Sequence, residues 1–132
     1  MPSLQACVLA AGKGTRMGGD RPKVLFVANG KPLIDWVLGA LSDAGVDDCV
    51  VVVGFRKEDV VPKLPTGVRW AEQSPQLGTG HAVRCARLSF PDDADNLIVT
   101  YGDMPLVAPA TYRRLVALRE RENADATVLT VR

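Results

Sequence analysis

Apolar positions fall into short blocks separated by polar or glycine-rich stretches, and the spacing inside each block indicates its conformation. Residues 5–11 form a short apolar run that stops at Gly12, which predicts a buried strand. Residues 24–27 predict a brief extended piece, and Asn29-Gly30 marks a turn. Pro32 sits where a first helical residue belongs. Ile34, Val37, Leu38 and Leu41 then recur at helical spacing until Gly45 closes the helix. Cys49 and the valines after it do not alternate with polar residues, so they predict a strand covered on both faces, as in a parallel sheet. A short polar helix over 56–63 is broken at Pro65-Thr66-Gly67 and leads to a strand over 68–71. Thr79 is an N-cap candidate for a helix with Ala82, Val83 and Ala86 inward and Arg84 and Arg87 outward. A strand over 96–100, a helix from Pro109 with Tyr112, Leu115 and Val116 inward, and a last strand over 126–131 complete the pattern.

Strands alternating with helices predict an α/β fold, a Rossmann-like, mainly parallel sheet flanked by helices. The 132 residues suit one domain spanning 1–132, large enough to bury a core. In such sheets ligands bind beyond the carboxyl ends of the strands. The loops over 12–23, 72–79 and 101–105 are therefore expected to meet at one edge.

Composition narrows the partners. A net charge of +1 gives no bulk attraction to nucleic acid or to an acidic membrane. The three cysteines, Cys7, Cys49 and Cys85, are scattered and odd in number, which predicts reduced, buried thiols rather than a metal or redox site. With no leader-like segment and no long apolar span, the expectation is a soluble, cytoplasmic protein.

The chemistry concentrates where the first strand opens into Gly12, Gly14, Gly18 and Gly19, with Lys13, Arg16 and Lys23 close by. Glycine lets the backbone come close to a ligand, successive N–H groups form an anion-binding concavity, and the cations add full charge. Phosphate is the guest this implies. A P-loop would need glycine at position 7 and Ser or Thr at 14, where the chain has Cys7 and Gly14. A dinucleotide fingerprint would need glycine at 17, where it has Met17.

The run Leu-Ala-Ala-Gly-x-Gly-Thr-Arg-Met over 9–17, followed by Pro22-Lys23-Val24-Leu25, resembles the opening of nucleotidyltransferases that join an NTP to a phosphorylated metabolite. With Gln76-Leu77-Gly78-Thr79-Gly80-His81-Ala82, the chain most resembles the N-acetylglucosamine-1-phosphate uridylyltransferase family. The resemblance implies the nucleotide-diphospho-sugar transferase fold, cut short. It implies UTP and a sugar 1-phosphate as partners, UDP-N-acetylglucosamine as product and Mg²⁺ as cofactor. Leu9, Ala10, Ala11 and Gly12 would touch base and ribose, and Gly14 and Thr15 would belong to the phosphate loop. Arg16 and Lys23 would be catalytic, stabilising charge on the phosphoryl groups. Gln73, with Gln76 nearby, would read the base, and the backbone of Gly78 and Thr79 would contact the nucleoside. Tyr101, Gly102 and Asp103 match the family's metal-binding segment, with Asp103 as the Mg²⁺ ligand.

Each of these residues has a plainer reading. Arg16 and Lys23 could be solvated cations, Asp103 a turn aspartate and the glutamines loop polars. His81, the one histidine, is not needed as a base, because a sugar phosphate is already largely dianionic near neutral pH, its second pKa lying around 6. A local structural role is expected for it. The family's domain continues beyond position 132 with the acceptor contacts, an asparagine metal ligand and further strands, so the resemblance implies a nucleotide-binding half. An open sheet edge after the last strand invites a homo-oligomer. Two alternatives stand beside this reading. One is a non-catalytic nucleotide-binding or regulatory module. The other is a cytidylyl- or guanylyltransferase of the molybdenum-cofactor type, which shares Gly102-Asp103-Met104-Pro105-Leu106 but lacks the run over 76–82.

Overall fold

The structure is a computed structural model that describes residues 2–13 and 20–132. Strand β1 (Leu4–Leu9) comes first. Residues 24–27 are not simply extended: Lys23–Leu25 make one 3-10 turn, which drives Val24 and Leu25 into the core. Two-residue strands β2 (Val27–Ala28) and β3 (Lys31–Pro32) then pair across Asn29 and Gly30, both at positive φ. Pro32 thus belongs to β3 and precedes helix α1 (Leu33–Asp43) rather than starting it. Ile34, Val37, Leu38 and Leu41 are the buried face of α1, and Gly45 follows at φ 93, the left-handed conformation that ends helices.

Strand β4 (Asp48–Val53) is the two-sided strand the valine run predicts, with Val50 to Val53 all at 0% exposure. The helix expected over 56–63 is split into α2 (Lys57–Val60) and a 3-10 turn Val61–Lys63, because Pro62 has no N–H with which to continue the α-helical ladder. Strand β5 (Arg69–Glu72), helix α3 (Thr79–Ala86), strand β6 (Asn96–Tyr101) and helix α4 (Pro109–Arg121) follow, α4 starting at the predicted proline.

The main sheet has the order β5-β4-β1-β6, with every neighbouring pair parallel. The fold is therefore the expected α/β type with a mainly parallel sheet. Side chains alternate across it. Ala6, Val8, Val51, Val53 and Ile98 meet the apolar faces of α1 and α4 on one side. Cys7, Leu9, Val50 and Val52 meet Ala82 and Ala86 of α3 on the other. The chain moves outward from β1 through β4 to β5, then jumps back to place β6 on the far side of β1. Such a reversal opens a crevice beyond the carboxyl ends of the two strands flanking it.

The strand expected over 126–131 does not form. The segment's approach is tied to α4 instead: just before it Arg119 donates to the carbonyl of Ala124, and within it the Thr127 hydroxyl donates to the carbonyl of Leu115. Strand-forming residues need a ladder partner to become a strand, and Val128 and Val131 are largely exposed. Among the described residues no helix is long and apolar enough to cross a membrane.

Candidate functional site

The crevice is a cleft of ≈ 420 Å³ lined by Leu9, Ala10, Ala11, Gly12, Lys23, Val24, Gln73, Gln76, Gly78, Thr79, Ala82, Tyr101 and Asp103. The loops after β1, β5 and β6 converge there. Gly14, Thr15 and Arg16 lie outside the described residues.

Backbone pairing fixes the floor. The N–H of Ala10 donates to the carbonyl of Val52, and the N–H of Gly102 donates to the carbonyl of Leu9. The carbonyl of Ala11 accepts from the N–H of Phe55 and from Nε2 of Gln76. These bonds commit most polar backbone atoms of 9–11 to the fold. Among the described residues they leave the N–H groups of Ala11 and Gly12 without a backbone partner at the cleft.

Gly102 lies beneath the cleft rather than in its lining. A Cβ there would stand 2.9 Å from Cγ1 of Val24 and 3.5 Å from Cβ of Ala10. Glycine therefore lets the end of β6 close on the 3-10 turn, which brings Asp103 to Lys23. Nζ of Lys23 lies 3.1 Å from Oδ2 of Asp103, with both side chains about one-third exposed. An ion pair this wet is worth little as a staple. Both ends stay accessible to a ligand.

Opposite this pair, Gln73 is 5% exposed and tightly held. Its Nε2 donates to the carbonyl of Gly78 at 3.0 Å and lies 3.0 Å from Nδ1 of His81. Gly78 takes φ 105 and ψ 175, a conformation closed to most side chains, and it caps α3. Thr79 is thus the first helical residue and not the N-cap that its side chain suggests. The first turn of α3 opens on the cleft, where Gly78 and Thr79 form part of its wall. The side chain of Tyr101 is half-exposed at the rim.

Some contributors escape sequence reading. Val24 and Ala82 line the cleft through packing alone. His81 has the local role expected of it, though its contact, 3.0 Å from Nε2 of Gln73, is not readable in sequence. Gly54 sits where β4 ends between two backbones: a Cβ would meet the carbonyl oxygen of Gln73 at 2.9 Å and Cβ of Ala11 at 3.0 Å. The readable signal is a glycine closing a buried valine strand, which often marks a close backbone approach.

All three cysteines are free, but only Cys7 is buried as expected, Cys49 and Cys85 being partly exposed; burial pushes the Cys7 thiol up to about 11 and the Cys49 thiol up to about 12. Trp36 is structural, donating from its indole to the carbonyl of Ala28 beneath the ammonium of Lys31.

The chain is 44% identical over 128 residues to the "Bifunctional protein GlmU" of Pseudothermotoga lettingae, an alignment covering 97% of this chain and 28% of that protein. The chain thus spans little more than a quarter of the length of that relative. A nucleotidyl transferase of Methanothermobacter thermautotroptrophicus matches with a TM-score of 0.73 at 33% identity, over 87% of this chain and 57% of that one. The Rv0371c protein of Mycobacterium tuberculosis H37Rv matches with a TM-score of 0.77 at 26% identity, over 89% of this chain and 60% of that one, and has also been solved in complex with manganese. A family model described as a MobA-like NTP transferase domain matches residues 6–132. That match takes in every strand end bordering the cleft, and the chain belongs to the family of MobA-like NTP transferase domains.

Proposed function

We propose that the cleft binds a nucleoside triphosphate, UTP, and that it serves uridylyl transfer to N-acetylglucosamine 1-phosphate, forming UDP-N-acetylglucosamine. An oxygen of the sugar phosphate attacks the α-phosphorus, the bond to the β-phosphate oxygen breaks, and pyrophosphate leaves. The observation that carries this reading is the Lys23–Asp103 pair facing Gln73 and the first turn of α3 across one cleft. One wall offers charge to a polyphosphate and the other a side-chain amide to a base. The resemblance of the runs over 9–25 and 76–82 to the N-acetylglucosamine-1-phosphate uridylyltransferase family supports the acceptor.

In this reading the N–H groups of Ala11 and Gly12 hold the nucleoside end, while Lys23 and Arg16 hold phosphoryl oxygens. The protein contributes position and preorganised charge, not a covalent nucleophile. Asp103 suits a hard divalent cation. Its single accessible carboxylate would hold an ion of the kind that takes its other ligands from phosphates and water. When bound, Mg²⁺ or Mn²⁺ neutralises negative charge on the phosphates. With the ion there, Asp103 would hold it and Lys23 would serve a phosphoryl oxygen.

The test is pyrophosphate–UTP exchange with and without N-acetylglucosamine 1-phosphate, beside calorimetric binding of UTP, CTP and GTP with Mg²⁺. Exchange with UTP supports transfer. Binding without exchange supports a nucleotide-binding module, and a preference for CTP or GTP overturns the base assignment. In an active protein Arg16→Ala is expected to lower kcat more than it raises KM, because its charge serves the transition state.

A further inference from the structure

We infer that His81 is a positioning residue: with the carbonyl of Gly78 it uses both hydrogens of the Gln73 amide, so that Gln73 presents only an oxygen to the ligand and selects a base edge that donates. This rests on the nucleotide reading above and sharpens it.

The atoms allow one assignment. A carbonyl can only accept, so the Gln73 atom 3.0 Å from the Gly78 oxygen is nitrogen. That nitrogen has two hydrogens and no lone pair to offer, so Nδ1 of His81, also at 3.0 Å, must be the acceptor. The imidazole is therefore neutral with its proton on Nε2. Sγ of Cys85, one helical turn on, lies 3.7 Å from Nε2 and can receive that proton's hydrogen bond. The chain of donors runs from Gln73 through His81 to Cys85. Both donors of the amide are consumed, and Oε1 is the polar atom left on a side chain that lines the cleft. By residue type alone Gln73 could offer donor and acceptor together; the geometry removes the donor.

The consequence is a choice between bases. At the centre of its pairing edge uracil presents N3–H to such an oxygen, whereas cytosine has there a bare N3 lone pair that an acceptor repels and donates only from N4 at the edge's end. Freed from His81, the amide can turn and offer its nitrogen, and the discrimination weakens.

Two measurements test this. As the chain contains one histidine, its ring nitrogens are unambiguous in a ¹⁵N–¹H correlation spectrum of the ligand-free protein. The expected result is the Nε2–H tautomer with Nδ1 accepting; an Nδ1–H tautomer overturns the inference. In calorimetry with Mg²⁺, His81→Leu is expected to lower the UTP-over-CTP affinity ratio about tenfold. His81→Asn, whose Oδ1 stands as far along the side chain as Nδ1, should restore most of it. A ratio unchanged in His81→Leu overturns this inference while leaving the nucleotide site intact. A wild-type protein that binds neither nucleotide overturns both.

Discussion

Gly54→Ala separates backbone fit from every other use of glycine. At this position no positive φ is involved, so alanine's own conformational preference is not at issue. Elsewhere the exchange would stabilise the fold by about 0.4–1 kcal/mol, because alanine has less freedom to lose from the unfolded chain. Here the new methyl would stand 2.9 Å from the Gln73 carbonyl oxygen, 3.0 Å from Cβ of Ala11 and 3.4 Å from the Ala11 carbonyl oxygen. Comfortable carbon contacts are about 3.5–4.0 Å, so the ends of β1 and β5 must retreat by roughly half an ångström. They are poorly placed to do so. Gln73 N–H is bonded to the Val53 carbonyl at 2.8 Å and Phe55 N–H to the Ala11 carbonyl at 3.2 Å. Overpacking of this kind costs about 1–3 kcal/mol, leaving a net loss of about 1–2 kcal/mol. For a domain of this size the melting temperature should fall by roughly 3–8 °C. Urea denaturation supplies the free energy, and amide exchange at Gln73 and Phe55 should accelerate more than at Val37. Gly39→Ala is the control: it lies inside α1 with nothing within 4 Å of the place a methyl would take, and should gain about 0.5–1 kcal/mol. If both variants are stabilised, the strand ends do not crowd Gly54 and the argument for its role fails.

Tyr112→Phe should cost about 1–2 kcal/mol in urea titrations, since Thr100 Oγ1 loses its 3.0 Å partner in a buried setting. Adding Thr100→Val should recover part of that loss, and an equal or larger cost in the double variant counts against the bond's importance. The thiols give a pH signature. Cys7 and Cys49 ionise near 9.0 when unfolded but only near 11 and 12 when folded, so their contribution is complete below pH 9 and declines as pH rises through 9 to 12. For Cys7 the decline amounts to about 2–3 kcal/mol, and Cys7→Ala should flatten the slope of stability against pH in that window. Iodoacetamide at pH 8 should leave Cys7 unmodified until the protein unfolds, which mass spectrometry reads directly. Lys23→Met should raise the Mn²⁺ affinity of the nucleotide-free protein about two- to fivefold by releasing Asp103, while weakening UTP binding. Unchanged Mn²⁺ affinity would mean that the carboxylate is not the metal's anchor.

Much of the architecture is legible before folding because it rests on one strong signal. A run such as 50–53 cannot be half-wet, so it implies a strand with cover on both sides and hence helices crossing over a parallel sheet. The same logic sends three loops to one edge, and they do meet. What escapes is set by partners that a linear pattern does not contain. Thr79 carries the chemistry of a cap, but the loop enters α3 through the positive φ of Gly78, so the cap falls one residue early. Residues 126–131 are rich in strand-forming types, yet they find no ladder partner, and the Thr127 side chain bonds α4 instead. Lys23, Gln73 and Asp103 are readable as polar residues in suggestive loops. The contacts that Gly54, Val24 and His81 make beside them come into view only when β1, β4, β5 and β6 are side by side, because those contributions are contact and not chemical type.

The unequal padding of the sheet gives the cleft one stiff wall and one compliant wall. The face under α1 and α4 is filled by leucine, isoleucine, valine and tyrosine, whereas α3 grips its face chiefly through the methyls of Ala82 and Ala86. Each methyl withdraws little surface from water, so α3 is anchored by a small fraction of the domain's hydrophobic free energy. Partial opening should begin there, with α3 amides exchanging at a cost well below that of global unfolding. A ligand seated against Gly78 and Thr79 would then bind a lightly anchored helix, spending some of its affinity on stiffening it and protecting its amides in return.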